Sequence, residues 1–349
     1  MITKEQISEI LSVAINNINQ GISKKITIRK SDETPPQDTR HLTDTRARVS
    51  TLLEYSLTYE VNRIFNERES QNSLSTVLWN VFPDLIVRNG NMENIAGLEV
   101  KALDLAAEEK SANLHTPISY IRKGKDFLVI LSWGWVREVT DNYDIYYPHV
   151  YDVGIFDAWL IAKIRDTTWL INRKSKGKLY CKGFDINTPI INGCTKLEPF
   201  KAEEGNLGKV MRIKLSEKAD LNLSYYEEMI KESADYYRFS NLVLGRGIVE
   251  TAREIADYLG IEVECEEVSI EFTGDAKIIA KGKRDSNRII FVSGKNKLKQ
   301  LQKNCRESDV VISFNYELNW EISKFDGNWK SIAKGEKPSI ELGKIASNL

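Results

Sequence analysis

Two apolar runs separated by a turn constrain this chain more than any other stretch. Phe82-Pro83-Asp84-Leu85-Ile86-Val87 and Ala96-Gly97-Leu98-Glu99-Val100-Lys101-Ala102-Leu103 both read as strands, with Asn89-Gly90-Asn91-Met92-Glu93-Asn94 between them. Asn-Gly supplies the positive φ that a hairpin connection needs, so the two runs are expected to pair antiparallel. For a turn centred near residues 91 and 92, paired residue numbers sum to about 183 or 184, which sets Asp84 opposite Glu99 or Val100 at roughly 5 Å. Side chains alternate along a strand, so Glu99 and Lys101 leave one face while Leu98 and Val100 leave the other. One face is then apolar, and the other carries two carboxylates and an ammonium.

Carboxylates a few ångströms apart raise each other's pKa unless a cation lies between them. Hard oxygen donors with no His or Cys nearby suit Mg²⁺, which accepts one or two carboxylates, keeps several waters and takes a further ligand from a substrate phosphate. Lys101 beside such an ion is placed to orient an attacking water and to steady charge developing at phosphorus.

Pro83-Asp84, a gap of hairpin length, then Glu99-Val100-Lys101 within apolar residues resembles the active-site motif of the PD-(D/E)xK nuclease superfamily. The resemblance implies Asp84, Glu99 and Lys101 as catalytic residues, with Asp84 and Glu99 as metal ligands. It also implies an α/β or α+β fold, with a central mixed sheet flanked by helices in a restriction-endonuclease-like core. Superfamily members often add an acid from a preceding helix. The run Arg48-Val49-Ser50-Thr51-Leu52-Leu53-Glu54 followed by Leu57 and Val61 looks like that helix and favours Glu54 as a further ligand. Helical geometry favours Glu60, which falls closer to the centre of the apolar stripe at 100° per residue, so the choice between them stays open.

Charge and composition narrow the class. With 49 Lys+Arg against 50 Asp+Glu the net charge is −1, which argues against a nonspecific coat on nucleic acid and leaves room for a locally basic cleft. Cys181, Cys194, Cys265 and Cys305 lie far apart without CxxC spacing, and His41, His115 and His149 are scattered, so zinc and disulfide scaffolds have no support. Reduced cysteines and no signal-peptide pattern at Met1-Ile2-Thr3-Lys4-Glu5-Gln6 fit a cytoplasmic protein. The longest apolar run, Phe127 to Val136, is too short to span a bilayer, so no membrane association is expected.

Along the chain, helical spacing of Ile7, Ile10, Leu11, Ala14 and Ile18 predicts a helix over 4–20, and residues 21–43 read as a basic irregular segment. A long helix is expected over 45–66, capped by Thr43 or Asp44, with Val49, Leu52, Leu53, Leu57, Val61 and Ile64 as its stripe. Asp126 to Trp133 reads as a strand buried on both faces, and the resemblance implies a helix between it and the Glu-x-Lys strand. A Tyr-rich strand over 143–151 and a helix over 155–164 follow. Lys110, Asn113, Arg122 and Lys123 are candidate phosphate or base contacts at the rim. Arg173, Lys174, Lys176 and Lys178, with Lys182, Tyr180 and Phe184 adjacent, have the composition of a loop that tracks a nucleic-acid backbone. Near residue 242 the pattern changes. Gly245-Arg246-Gly247 is expected to introduce a helix closed by Gly260, followed by strands near 261–272, 276–282 and 288–292, a basic helix near 295–304, and strands at 309–314 and 316–325.

The expected organisation is a catalytic core over 1–240 with its N-terminal helical segment, and a smaller α/β domain or extension over 241–349 that binds DNA or pairs protomers. Among superfamily members the chain looks most like a Type II restriction endonuclease, a Mg²⁺-dependent homodimer cutting double-stranded DNA at a short sequence. The alternatives are a structure-specific repair or recombination nuclease of the same superfamily and a non-catalytic DNA-binding protein.

Overall fold

The computed structural model of the chain describes residues 2–25, 28–29, 40–78, 81–105, 114, 116, 118–139, 144–165, 225–259, 263–265, 277–278, 280–282, 289–293, 310–314 and 319–336. The fold is α+β, and the chain divides into two compact units, residues 1–104 with 110–239 and residues 105–109 with 240–349.

The first unit is built on a six-stranded mixed sheet. Its strands are β1 (Ile28–Arg29), β2 (Ser73–Thr76), β3 (Leu85–Arg88), β4 (Asn94–Asp104), β5 (Asp126–Val139) and β6 (Asp144–Asp157), in the order β1-β6-β5-β4-β3-β2. Only β4 and β5 run parallel; the other neighbours are antiparallel. The expected hairpin forms with Leu85 opposite Leu98, Ile86 opposite Gly97 and Val87 opposite Ala96, so paired numbers sum to 183. Its turn differs from expectation at one point. Met92, not Gly90, takes the positive φ of 62°, while the Asn89 side chain accepts from the amides of Asn91 and Glu93 and so shapes the loop. A Cβ at Gly90 would meet only the exposed Gln71 side chain, whose Oε1 lies 2.6 Å away.

Helices α1 (Lys4–Lys25) and α2 (Arg40–Glu67) cover one face of this sheet. Thr3 and Gln6 form a reciprocal capping box at the start of α1, each side chain accepting from the other's amide. The predicted stripes of α1 (Ile7, Ile10, Leu11, Ala14, Ile18) and α2 (Val49, Leu53, Leu57, Val61, Ile64) are buried in one core with Leu85, Val87, Leu98, Val100, Phe127, Val129 and Leu131. Both helices outrun the expectation. α1 continues to Lys25, and α2 starts at Arg40, so Thr43 and Asp44 lie within it and do not cap it. Within the basic stretch 21–43, residues 21–25 extend α1, 40–43 belong to α2, and Ile28–Arg29 form β1, which pairs with β6.

On β5, residues 127–133 are buried on both faces. β6 runs on to Asp157, past the expected helix start at 155, and a helix α3 over 158–165 follows. Asp157 caps it, with Oδ1 accepting from the amides of Trp159 and Leu160. Glu232 of α4 (Tyr226–Leu259) ties this corner to α1: it accepts from the Asp157 amide at 2.6 Å and from the Lys4 ammonium at 2.7 Å. Between β4 and β5 the described residues hold a 3-10 turn at Ile118–Tyr120; the helix implied there falls on residues outside those described. β2 was not anticipated, because Ser73-Leu74-Ser75-Thr76 is short and mostly polar.

Helix α4 runs straight through Gly245-Arg246-Gly247, where the sequence predicts a helix start. Met229, Ser233, Tyr236, Ser240 and Val243 recur at helical spacing and are buried. Burial of that stripe outweighs the roughly 1 kcal/mol by which each glycine disfavours a helix. In the second unit β8 (Lys277–Ile278), β10 (Ile289–Ser293), β11 (Val310–Phe314), β12 (Asn319–Asp326) and β13 (Asn328–Glu336) form a sheet in the order β13-β12-β11-β10-β8, with β10 and β11 parallel. β7 (Val263–Cys265) and β9 (Ala280–Gly282) pair separately. β13 was not predicted. It returns through Asp326-Gly327-Asn328, with Gly327 at φ 68°, and the Phe325 and Trp329 rings meet across the hairpin at 5.0 Å. The expected basic helix at 295–304 lies outside the described residues.

Leu98 is 1% exposed at the centre of the first core. Leu98→Ala is expected to destabilise the first unit by about 3 kcal/mol, the middle of the range for buried leucines, read as a lower urea midpoint with unchanged slope.

Candidate active site at the open edge of β4

β3 stops at Leu85, opposite Leu98, while β4 continues to Asp104. Beyond Glu99 no described strand therefore pairs with the β3 side of β4. Asp84, one residue before β3, closes the first step of this gap: its Oδ2 accepts the Val100 amide at 2.8 Å. Its backbone is held from the other side, where the Val77 amide donates to the Asp84 carbonyl at 2.8 Å. Gly97 makes room for this. A Cβ there would stand 2.7 Å from Pro83 Cγ and 2.6 Å from Asp126 Oδ1, so Pro83 packs against β4 only because residue 97 has no side chain. A glycine inside a strand marks such close approaches, and Gly97 was legible in that sense.

Lys101 sits between the acids. Its Nζ donates to Glu99 Oε1 at 2.7 Å and lies 3.7 Å from Asp84 Oδ2. Leu98 and Val100 face the core shared with α1 and α2, as alternation requires. The second oxygen of Glu99, Oε2, is buried without a hydrogen-bond partner. Burial pushes the Glu99 carboxyl up; Lys101 opposes that, Asp84 adds to it, and the net direction is upward. Burial of Lys101 pulls its pKa down, but Glu99 and Asp84, with Glu54 behind them, outweigh this and hold it above the ordinary lysine value.

Glu54 and Glu60 are separated by their surroundings. Glu60 accepts from Arg63 Nε on its own helix at 2.9 Å. Glu54 lies where the charges of Asp84, Lys101 and Glu99 reach it, and its carboxyl is pushed up first by burial and then by Asp84. Three carboxylates against one ammonium leave surplus negative charge at a partly buried point, which calls for a cation. Among the described residues, no three acidic, His or Cys side chains are close enough together to form a ready metal cage. Mg²⁺ does not need one, since two carboxylates with water and substrate oxygens suffice. The orphaned Glu99 Oε2 and the Asp84 carboxylate at the strand edge fit such an ion by donor type.

Of the rim residues, Arg122 and Lys123 are engaged within the protein. Arg122 donates to Asp126 at 2.6 Å and to the Asn94 side chain at 3.0 Å, bracing the start of β5 against β4. Lys123 pairs with Glu228 at 2.8 Å and lies over the Trp159 and Tyr225 rings. These contacts give both residues partners within the protein. Lys110, Asn113, Arg173, Lys174, Lys176 and Lys178 fall outside the described residues. Among those described, no helix is long and apolar enough to cross a membrane.

Comparison of the chain with protein-family models, with curated proteins and with solved structures finds no match. The chemistry of the site rests on its own geometry.

The raised pKa of Glu54 has a testable sign. A carboxyl whose folded value is raised favours the folded state while protonated, below its ordinary 4.5, and that contribution is lost as pH rises through the folded value. Glu54→Gln imitates the protonated form. In EDTA it is expected to melt a few degrees above the wild type at about pH 7 to 8, with the gap closing below pH ~4.5; thermal melts across this range check it.

Proposed function

We propose that this protein is a Mg²⁺-dependent endodeoxyribonuclease of the PD-(D/E)xK kind, most like a Type II restriction endonuclease, acting on double-stranded DNA in the cytoplasm. The observation that carries this reading is the Lys101 ammonium set between Glu99 and Asp84 at the open edge of β4. A hairpin stabilised for its own sake has no reason to bury a carboxylate oxygen without a partner, and Glu99 Oε2 is such an oxygen. Among the described residues no strand pairs with this edge beyond Leu98.

Asp84 and Glu99, with Glu54 as a further oxygen donor, would hold Mg²⁺. The ion supplies positive charge to the phosphoryl oxygens and acidifies water. The remaining work belongs to the chain. Lys101 donates hydrogen bonds that hold water in line with phosphorus, and its charge steadies the oxygens as negative charge builds there. Water adds to phosphorus, the bond to the leaving oxygen breaks, and that oxygen takes up a proton. Glu99 on the same strand and Asp84 just before β3 keep Lys101 charged against the pull of burial and hold its ammonium between them. The basic stretch from Arg173 to Lys182 supplies backbone contacts that set affinity more than sequence preference. A structure-specific nuclease of the same superfamily would share this chemistry and differ in cutting branched or flapped DNA instead of a plain duplex at one short site.

Plasmid cleavage with Mg²⁺ against an EDTA control tests the reading. Asp84→Ala and Glu99→Ala are each expected to abolish cutting while DNA binding is kept or tightened, because a carboxylate facing phosphate repels it when no cation intervenes. Lys101→Ala keeps both carboxylates and is expected to lose about a hundredfold or more in rate. Wild-type cutting rates in a folded Asp84→Ala or Lys101→Ala protein would leave the cluster a structural ion pair and remove the nuclease reading.

One Asp84-Glu99-Lys101 set cuts one strand, so a double-strand cutter of this kind works as a two-fold homodimer. Light scattering in solution and on a duplex is expected to give twice the 39.9 kDa chain mass. A strict monomer that still makes double-strand breaks would contradict this.

A further inference from the structure

On α2, Glu54, Thr58 and Asn62 follow one another at intervals of four residues and so form one polar stripe. The stripe borders β2, which ends the strand order of the first sheet. Asn62 holds both main-chain groups of Leu74: its Nδ2 donates to the Leu74 carbonyl at 2.9 Å, and its Oδ1 accepts the Leu74 amide at 2.7 Å. Its side-chain amide thus offers β2 the donor and acceptor that a further strand would offer. One turn earlier, the Thr58 hydroxyl donates to the Glu54 carbonyl at 3.0 Å and lies 3.4 Å from the Thr76 hydroxyl. A hydroxyl has one hydrogen, so with that of Thr58 on Glu54 it is Thr76 that donates to Thr58. Val77, the next residue, donates its amide to the Asp84 carbonyl at 2.8 Å. Two consecutive residues therefore tie down both acids, Thr76 holding Glu54 through Thr58 and Val77 holding Asp84 directly. The charge of Asp84 reaches Glu54.

We propose that Thr58 and Asn62 are positioning residues that seat β2 on α2 and thereby fix the spacing between Glu54 and Asp84, on which the affinity of the site for a divalent cation depends. This inference rests on the nuclease reading, since it takes both acids as oxygen donors to one ion. The strand by itself has little to keep it in place. It has four residues and one buried side chain, Leu74, and a strand pair without a larger apolar face is marginal in water. What it carries is the Val77–Asp84 bond, the next step in the register that pairs Ser75 with Ile86 and Thr76 with Leu85. Mg²⁺ demands near-ideal octahedral geometry, so a drift of one carboxylate against the other weakens its binding. Groups that orient metal ligands without touching the ion commonly change affinity by about 10–100-fold when removed.

Thr58→Val keeps the shape of the side chain and removes its hydroxyl, Thr58→Ser keeps the hydroxyl, and Asn62→Leu removes both bonds to Leu74. Ile18→Val, in the α1 part of the core, controls for lost stability alone. Isothermal titration calorimetry measures Mn²⁺ binding to the DNA-free protein, with Asp84→Ala marking the heat that belongs to this site and thermal melts confirming folding. Plasmid cleavage is then titrated with Mg²⁺. Thr58→Val and Asn62→Leu are expected to bind Mn²⁺ about tenfold more weakly and to need correspondingly more Mg²⁺ for half-maximal cutting, with the rate of Thr58→Val recovering at saturating Mg²⁺. Thr58→Ser and Ile18→Val are expected to bind Mn²⁺ as the wild type does. Wild-type Mn²⁺ affinity in folded Thr58→Val or Asn62→Leu, or an equal loss in Thr58→Ser and Ile18→Val, would overturn the inference and leave the nuclease reading standing. If Asn62→Leu does not fold, Thr58→Val against Thr58→Ser decides. A wild-type protein that neither binds Mn²⁺ through Asp84 nor cuts DNA would overturn both.

Discussion

The unequal length of β3 and β4 is the constraint on which the rest of this structure depends. β3 ends opposite Leu98 and β4 goes on to Asp104. A strand edge inside a covered sheet carries amides that must find partners, because an unpaired buried donor costs about 1–3 kcal/mol. The Asp84 carboxylate meets that need at Val100. The hydrogen bond that satisfies the edge also brings an acid to Glu99 and Lys101. Structure and site share one contact, and the backbone that delivers it is pinned twice, by Val77 and by Pro83 resting on Gly97.

Around that contact the electrostatics are strained in one direction. Glu99 is nearly buried, Glu54 is pushed up by burial and by Asp84, and one ammonium balances three acids. An optimised core would not keep such a cluster, since replacing buried ion pairs with apolar residues is often neutral or stabilising. Departures from local consistency tend to collect where a protein works. The two faces of β4 show the contrast directly: Leu98 and Val100 are packed to completion against α1 and α2, while Glu99 on the opposite face keeps an oxygen without a partner.

The surroundings make that cluster rigid. α1 and α2 share one core with the sheet, Arg122 and Asp126 brace the head of β5, and Glu232 joins the α3 cap to Lys4 of α1. Such ties hold side chains close to one geometry, which is what positioning a reacting phosphate demands. Arg46, reaching from α2 to Asp104, is another of these ties and extends the rigid frame along β4 past the cluster itself.

By itself the sequence determined what short-range rules govern. The hairpin and its register followed from the turn-forming run between the two strands, although Met92 and not Gly90 takes the left-handed position, and from the alternation of Leu98, Glu99, Val100 and Lys101; the core faces of α1 and α2 followed from their helical spacing. Where burial competed with local propensity, local reading fell short: α4 crosses Gly245 and Gly247, β6 runs on to Asp157, and the polar β2 forms because β3 offers it an edge. Only the tertiary structure showed how the surroundings of Glu54 and Glu60, about 120° apart around α2, differ: Arg63 pairs with Glu60, while the charges of the Asp84 cluster reach Glu54. It also assigned Arg122 and Lys123 to internal partners and joined Arg46 to Asp104, residues 58 apart. Charge pairing across such distances leaves no periodic trace in the chain, because it depends on where folded elements bring side chains and not on the spacing between them.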